Sequence, residues 1–159
     1  MQLFPTISEL RNWRKKISSS LGFIPTMGAL HDGHLSLVRK SLESCDHTIV
    51  SIYLNPAQFS ENEDLSTYPK NLKEDLARLE KYSIDAVFFP DNMEMYPDGY
   101  STYVDELMLT KKLEGQSRPN HFQGVTTIVA KLFNLVSSTQ AFFGEKDAQQ
   151  LRLIQKMTV

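Results

Sequence analysis

Two histidines three residues apart, His31 and His34, lie in the run Pro25-Thr26-Met27-Gly28-Ala29-Leu30-His31-Asp32-Gly33-His34. Imidazoles at that spacing can donate hydrogen bonds to phosphoryl oxygens as negative charge builds on them. Leu21 to Pro25 is a short apolar run that reads as a buried strand. From about His34 to Ser44, Leu35, Val38 and Leu42 recur at helical spacing, so the histidines sit at a strand-to-helix turn. Glycines there permit close backbone approach, and a helix N-terminus offers free N–H groups and the positive end of a dipole, which suit a phosphate. Two such histidines also occur as ordinary polar turn residues or as part of a metal site. Zinc ranks well below phosphate, because Cys45 falls on the following helix without a partner motif and His47 opens the next strand. Neither GxxxxGK[ST] nor GxGxxG is present, so the two common phosphate cradles are excluded.

Two other loops carry polar groups after strand patterns. Asn55-Pro56-Ala57-Gln58-Phe59 follows the apolar run His47 to Leu54. Gln58 is either a solvated amide beside a packing aromatic or a substrate amide that donates to one ligand oxygen and accepts from a hydroxyl. Gly144-Glu145-Lys146-Asp147 lies between a strand at Thr139 to Phe143 and a helix at Asp147 to Met157. Lys146 is then a surface lysine at a helix start or a mobile positive charge leaning over the same crevice. In Ser117 to Gly124, Arg118 and His121 read as solvated members of a loop with a helix cap.

The elements that must position these groups follow from local patterns. Thr6 with Glu9 forms a capping box before Leu10, Trp13 and Ile17. Asn71 with Glu74 opens another helix, whose inner face is Leu72, Leu76 and Leu79, after a polar loop from Asn55 to Pro69. Asp85 to Phe89 reads as a strand, Ser101 to Asp105 as a weaker one, and Phe122 to Val136 as a long helix aligned on Val125, Val129, Leu132 and Val136. Strands alternating with helices predict an α/β fold with a doubly wound, mostly parallel sheet covered on both faces. Such sheets bind ligands at the carboxyl ends of their strands, here the loops after Pro25, Leu54 and Phe143.

At 159 residues, 41% apolar and 23% charged, the chain has the composition of one globular unit spanning 1–159. Its net charge of -2 and lack of any cluster of five or more Lys/Arg argue against nucleic acid or an anionic membrane as partner. A single cysteine fits a reducing cytoplasm, and no apolar run has signal-peptide or membrane-spanning length.

The run from Pro25 to His34 resembles the HIGH-type motif of nucleotidyltransferases in the form used by pantothenate synthetases, the pantoate–β-alanine ligases. Asn55 to Phe59, Ser117 to Val125 and Phe143 to Leu151 match the same family, in family order, and the resemblance puts the Ser117 to Gly124 loop near the active site without assigning individual roles in it. The resemblance implies a Rossmann-like domain that binds ATP with Mg2+, pantoate and β-alanine. It further implies that pantoate attacks the α-phosphorus of ATP, giving pantoyl adenylate and pyrophosphate, and that the β-alanine amine then displaces AMP. By the same resemblance His34, His31 and Lys146 are catalytic. Met27, His31, His34, Gly144, Lys146 and Asp147 bind ATP, with Gly144 and Asp147 on the ribose and adenine side. Gln58 and Gln150 hold pantoate together with Thr26 and Met27. No protein metal ligand is implied, because phosphate oxygens and water hold the magnesium. Family members usually form homodimers through this domain.

Members of that family continue with a Ser-Ser-Arg-Asn loop and a smaller closing domain. Nothing matching either follows Lys156-Met157-Thr158-Val159, so the resemblance casts residues 1–159 as an N-terminal nucleotide- and pantoate-binding portion. Ile52-Tyr53-Leu54 and Lys70 depart slightly from the family pattern. Two rival readings are a different HIGH-type nucleotidyltransferase, which does not account for the Asn-Pro-x-Gln-Phe and Gly-Glu-Lys-Asp segments, and a catalytically silent ligand-binding domain.

Overall fold

The structure is a computed structural model that describes residues 1–59, 65, 68–69 and 71–159. A short strand, β1 (Gln2–Phe4), leads through the Thr6 cap into helix α1 (Ile7–Arg14), where Thr6 and Glu9 make the expected reciprocal capping bonds. Strand β2 (Leu21–Thr26) feeds α2 (Asp32–Ser44), and β3 (His47–Ile52) ends before a single 3-10 turn at Pro56–Gln58. Then come α3 (Leu72–Leu79), capped by Asn71, β4 (Ala86–Phe88) and α4 (Asn92–Met95). The short helix α5 (Glu114–Ser117) precedes α6 (His121–Val136), β5 (Gln140–Ala141) and α7 (Ala148–Met157).

Among the described residues five strands lie in the order β1-β4-β3-β2-β5, and each ladder between them is parallel. Side chains alternate across the sheet as the pleat requires. Phe23, Ile49, Ala86 and Phe88 point into a core closed by α1, α6 and α7, while Ile24, Val50 and Val87 point into a second core with Leu35, Val38 and Leu79 of α2 and α3. Both faces are covered, which accounts for the near-continuous apolar character of β2 and β3. From β2 the chain moves through β3 to β4 on one side, whereas β5 lies on the other side of β2. That reversal opens a crevice at the carboxyl end of β2.

Four local expectations are corrected. Helix α2 begins at Asp32 rather than near His34, because His31 itself is the cap. No strand forms at 101–105: Val104 N–H donates to Thr127 Oγ1 at 3.0 Å and its carbonyl accepts from Thr126, so this backbone is bonded to α6. Leu72, expected inside, is 36% exposed, while Asp75 of the same helix is 3% exposed. Strand β1 lies ahead of the Thr6 cap, where the sequence pattern predicts no strand. Of the polar loop expected from Asn55 to Pro69, residues 60–64 and 66–67 lie outside the described residues, as does Lys70.

Candidate functional site

The site begins where β2 ends. Thr26 Oγ1 donates to the carbonyl of Ser51 at 2.8 Å and accepts the N–H of Gly28 at 3.2 Å, so this hydroxyl is committed to the turn. Gly28 (φ 89°) and Ala29 (φ 51°) are both left-handed. Glycine adopts that region without penalty, but alanine does not, and surrounding bonds must hold it there. They come from Asp75, whose two carboxylate oxygens accept the N–H groups of Ala29 at 3.0 Å and Leu30 at 2.7 Å.

Next, the two histidines cap α2 in place of the usual hydroxyl and carboxylate side chains. His31 Nδ1 accepts from Gly33 N–H at 3.1 Å, and His34 Nδ1 accepts from His31 N–H at 3.3 Å. A ring nitrogen that accepts carries no proton, so both neutral imidazoles hold theirs on Nε2. Burial, and secondarily the neighbouring His31, push the His34 pKa below the ordinary histidine value, against the opposing pull of Asp75 and Asp147. Neutral N–H donation is therefore the favoured state of His34 at neutral pH. The two ring centroids are 4.1 Å apart.

A cavity of about 250 Å³ opens beside the histidines. Its polar wall is formed by His31, His34, Gln58, Asp147 and Gln150, with Thr26 and Met27 at the end of β2. Its apolar wall is Val125, Ile128, Val129 and Leu132 of α6 together with Phe143. An adjoining space of about 260 Å³ shares Met27, Gln58, Asp147 and Gln150 and adds Lys146, Arg118 and His121. The fold thus brings all but one of the sequence-predicted site residues around one continuous crevice. Gly144 lies outside both walls, and a Cβ there would meet nothing within 4 Å.

Gln58 is fixed from three directions. Asn55, 1% exposed, donates through Nδ2 to Gln58 Oε1 at 2.9 Å and to the Gly124 carbonyl at 3.1 Å. With its oxygen engaged, the Gln58 amide offers the cavity its NH2 group as a donor. Helix α6 closes on this turn because residue 124 lacks a Cβ, which would fall 2.2 Å from the Ala57 carbonyl oxygen. On the third side, His121 Nδ1 donates to the Gln58 carbonyl at 2.8 Å, and His121 Nε2 accepts from Arg118 Nη1 at 3.2 Å. Arg118 is in turn paired with Glu114 at 2.7 Å. The family resemblance puts this loop near the site, as found, but the buttressing roles of Arg118 and His121 did not follow from the sequence.

The adjacent glutamines of α7 divide their work. Gln149 is occupied by the carbonyls of Leu109 and Lys112 and by Glu114 N–H, whereas Gln150 faces both cavities. Asp75 and Asn55 were not singled out from the sequence. For Asp75 a signal was available, since it shares the i, i+3, i+4, i+7 face of α3 with Leu72, Leu76 and Leu79. Two neutral N–H donors, a lysine ammonium and two amides around a half-apolar pocket can hold an anionic group at one end and a small hydroxylated acid at the other.

The family model described as pantoate-beta-alanine ligase matches residues 2–159. The pantothenate synthetase of Fervidobacterium nodosum is 51% identical over 99% of this chain and 57% of its own length, and that of Roseiflexus castenholzii is 50% identical over 100% and 57%. Crystal structures of pantothenate synthetase from Thermus thermophilus (44% identity, TM-score 0.94) and of the Francisella tularensis ligase complexed with β,γ-ATP and β-alanine (38%, TM-score 0.95) superpose on 99% of the chain and cover 57% and 62% of theirs. The chain thus spans little more than half the length of these relatives. Matched along nearly its whole length by the family model and carrying the same fold as those crystal structures, the chain belongs to the pantoate-beta-alanine ligase family.

Proposed function

We propose that residues 1–159 form the nucleotide- and pantoate-binding portion of an enzyme that joins pantoate to β-alanine through a pantoyl adenylate. The observation that carries this reading is the pairing, in one crevice, of the His31 and His34 rings with Gln58 and Gln150 across an apolar wall. A small acid with hydroxyl groups on a branched carbon skeleton matches that combination. Its hydroxyl and carboxylate oxygens meet Gln58, Gln150 and the Thr26–Met27 end of β2, while its methyl groups lie against Val125 and Val129.

In this reading ATP enters as its magnesium complex with its phosphates toward His31, His34 and Lys146 and its ribose and adenine toward Gly144 and Asp147. The donor set fits a polyphosphate: it is N–H groups and an ammonium, and no cluster of three or more metal-ligating side chains occurs among the described residues. Pantoate's carboxylate attacks the α-phosphorus, pyrophosphate leaves, and the amine of β-alanine then attacks the acyl carbonyl to expel AMP. The protein positions the reactants and offsets the charge that builds on the phosphoryl oxygens.

The same reading takes the protein to work in the cytoplasm as a homodimer. No helix among the described residues is long and apolar enough to cross a membrane. Tyr103, Leu107, Met108 and Leu113 are 54%, 68%, 61% and 76% exposed along one segment, an apolar surface suited to a second copy. Sedimentation equilibrium tests this: a monomer at micromolar concentration contradicts it.

Calorimetric titration of D-pantoate into the purified chain with ATP and magnesium, alongside a pyrophosphate-release assay, tests the central claim. Saturable pantoate binding with pyrophosphate release is the expected result. A folded chain that neither binds pantoate nor releases pyrophosphate overturns it.

A further inference from the structure

We infer that Asp75 is a positioning residue for nucleotidyl transfer, acting through the Ala29 and Leu30 N–H groups on the turn that presents His31 and His34. The inference rests on the functional reading above and adds to it a residue on α3, away from the strand and helix that carry the histidines. The carboxylate is buried, yet it forms no ion pair among the described residues. A buried bare charge is costly unless hydrogen bonds satisfy it. Here each oxygen takes one N–H, at 3.0 and 2.7 Å, from consecutive residues. The donors follow directly on two left-handed positions, and a Cβ added at Gly28 would approach Asp75 Oδ2 to 3.1 Å. The carboxylate therefore sits against the turn along its length.

Only a two-oxygen acceptor matches two convergent N–H groups. Asparagine offers one oxygen and turns an NH2 toward the other donor, so the isosteric Asp75→Asn change would release half of the turn. The released half leads directly into the His31 cap, so both imidazoles would lose their fixed aim. Displacement of a catalytic group by about 1 Å costs on the order of 100-fold in rate. Gln58 and Gln150 stand on other elements, and Thr26 is held by the Ser51 carbonyl ahead of the turn, so pantoate binding should change little.

The test measures pyrophosphate release, pantoate affinity and the ring-nitrogen NMR signals of His31 and His34 in the parent chain and in Asp75→Asn. The expected result is a fall of about 10- to 100-fold in kcat, pantoate affinity within about threefold, and displaced ring signals. Ring signals that stay in place in a folded variant overturn the inference whatever the rate does, as does a loss confined to pantoate affinity. Should Asp75→Asn not fold, Asp75→Glu keeps two acceptor oxygens on a longer arm and is judged by the same outcomes. If the parent chain itself neither binds nor turns over ATP, the functional reading fails, and the ring signals alone decide whether Asp75 holds the turn.

Discussion

The backbone N–H of His31 donates to Nδ1 of His34, so a side chain expected to act on substrate is also the cap of its own helix. Structure and chemistry are separable here, because a glutamine at the third helical position can accept the same N–H but has no imidazole Nε2–H. His34→Ala should lose about 100-fold or more in adenylation rate and about 1 kcal/mol of stability. His34→Gln should recover most of the stability and little of the rate. Pyrophosphate release and urea unfolding, measured on both variants, check the separation.

The lowered His34 pKa carries a pH signature. The unfolded chain binds a proton at this residue near the ordinary value of 6.5, whereas the folded chain resists it until lower pH. Between those two values the unfolded state holds more protons, so this contribution to stability is full above about pH 6.5 and is lost as pH falls toward the folded-state value. Urea midpoints of the parent chain should drop across that window by more than those of His34→Gln. Parallel curves for the two proteins would rule this linkage out.

Asn55 holds Gln58 through one amide bond and closes the α6 contact through another. Asn55→Ala leaves both acceptors without that donor in a buried place, which should cost about 2–3 kcal/mol. The freed Gln58 amide should also weaken pantoate binding by about tenfold, the equivalent of one charged-acceptor hydrogen bond. Chemical denaturation and calorimetry read the two effects independently.

Gly124→Ala sets two effects against each other. Alanine favours a helix interior over glycine by up to about 1 kcal/mol. The new Cβ would stand 2.2 Å from the Ala57 carbonyl oxygen, and both are backbone-anchored, so the clash should win by about 2 kcal/mol and push α6 off the Gln58 turn. A thermal melt of the variant at or above the parent value would show that the two elements part more easily than their contact implies.

Lys146 is exposed and lines the space next to the histidines. Lys146→Ala should therefore leave the unfolding midpoint within about 0.5 kcal/mol of the parent while adenylation falls by about 100-fold. Activity close to the parent's would remove the ammonium from the phosphate end.

What was legible in the sequence was what is local. The Thr6–Glu9 and Asn71–Glu74 caps and the apolar runs of β2 and β3 carry their signals within a few neighbouring residues, and all are present. Position after a strand brought Gln58 and Lys146 to the crevice, and the family resemblance added Gln150. The start of α2 was misplaced because an imidazole cap lies outside the usual Ser/Thr/Asp/Asn set. For Asp75 the sequence shows a carboxylate on an apolar stripe, but what it holds stays hidden until its two backbone donors, some forty-five residues earlier, are known. Ser101 to Asp105 has the composition of a strand, but its neighbours are threonine side chains on α6 rather than another strand.

The all-parallel ladder also sets an order of events on the ribosome. No strand among the described residues can pair with the next one through a simple hairpin, and Gln2 to Phe4 has its partner at Ala86 to Phe88, synthesised much later. That segment must wait unpaired while β2 and β3 can already meet. The sheet is therefore assembled from its middle, where the histidine turn is attached, and the N-terminal edge is added only after β4 has left the ribosome.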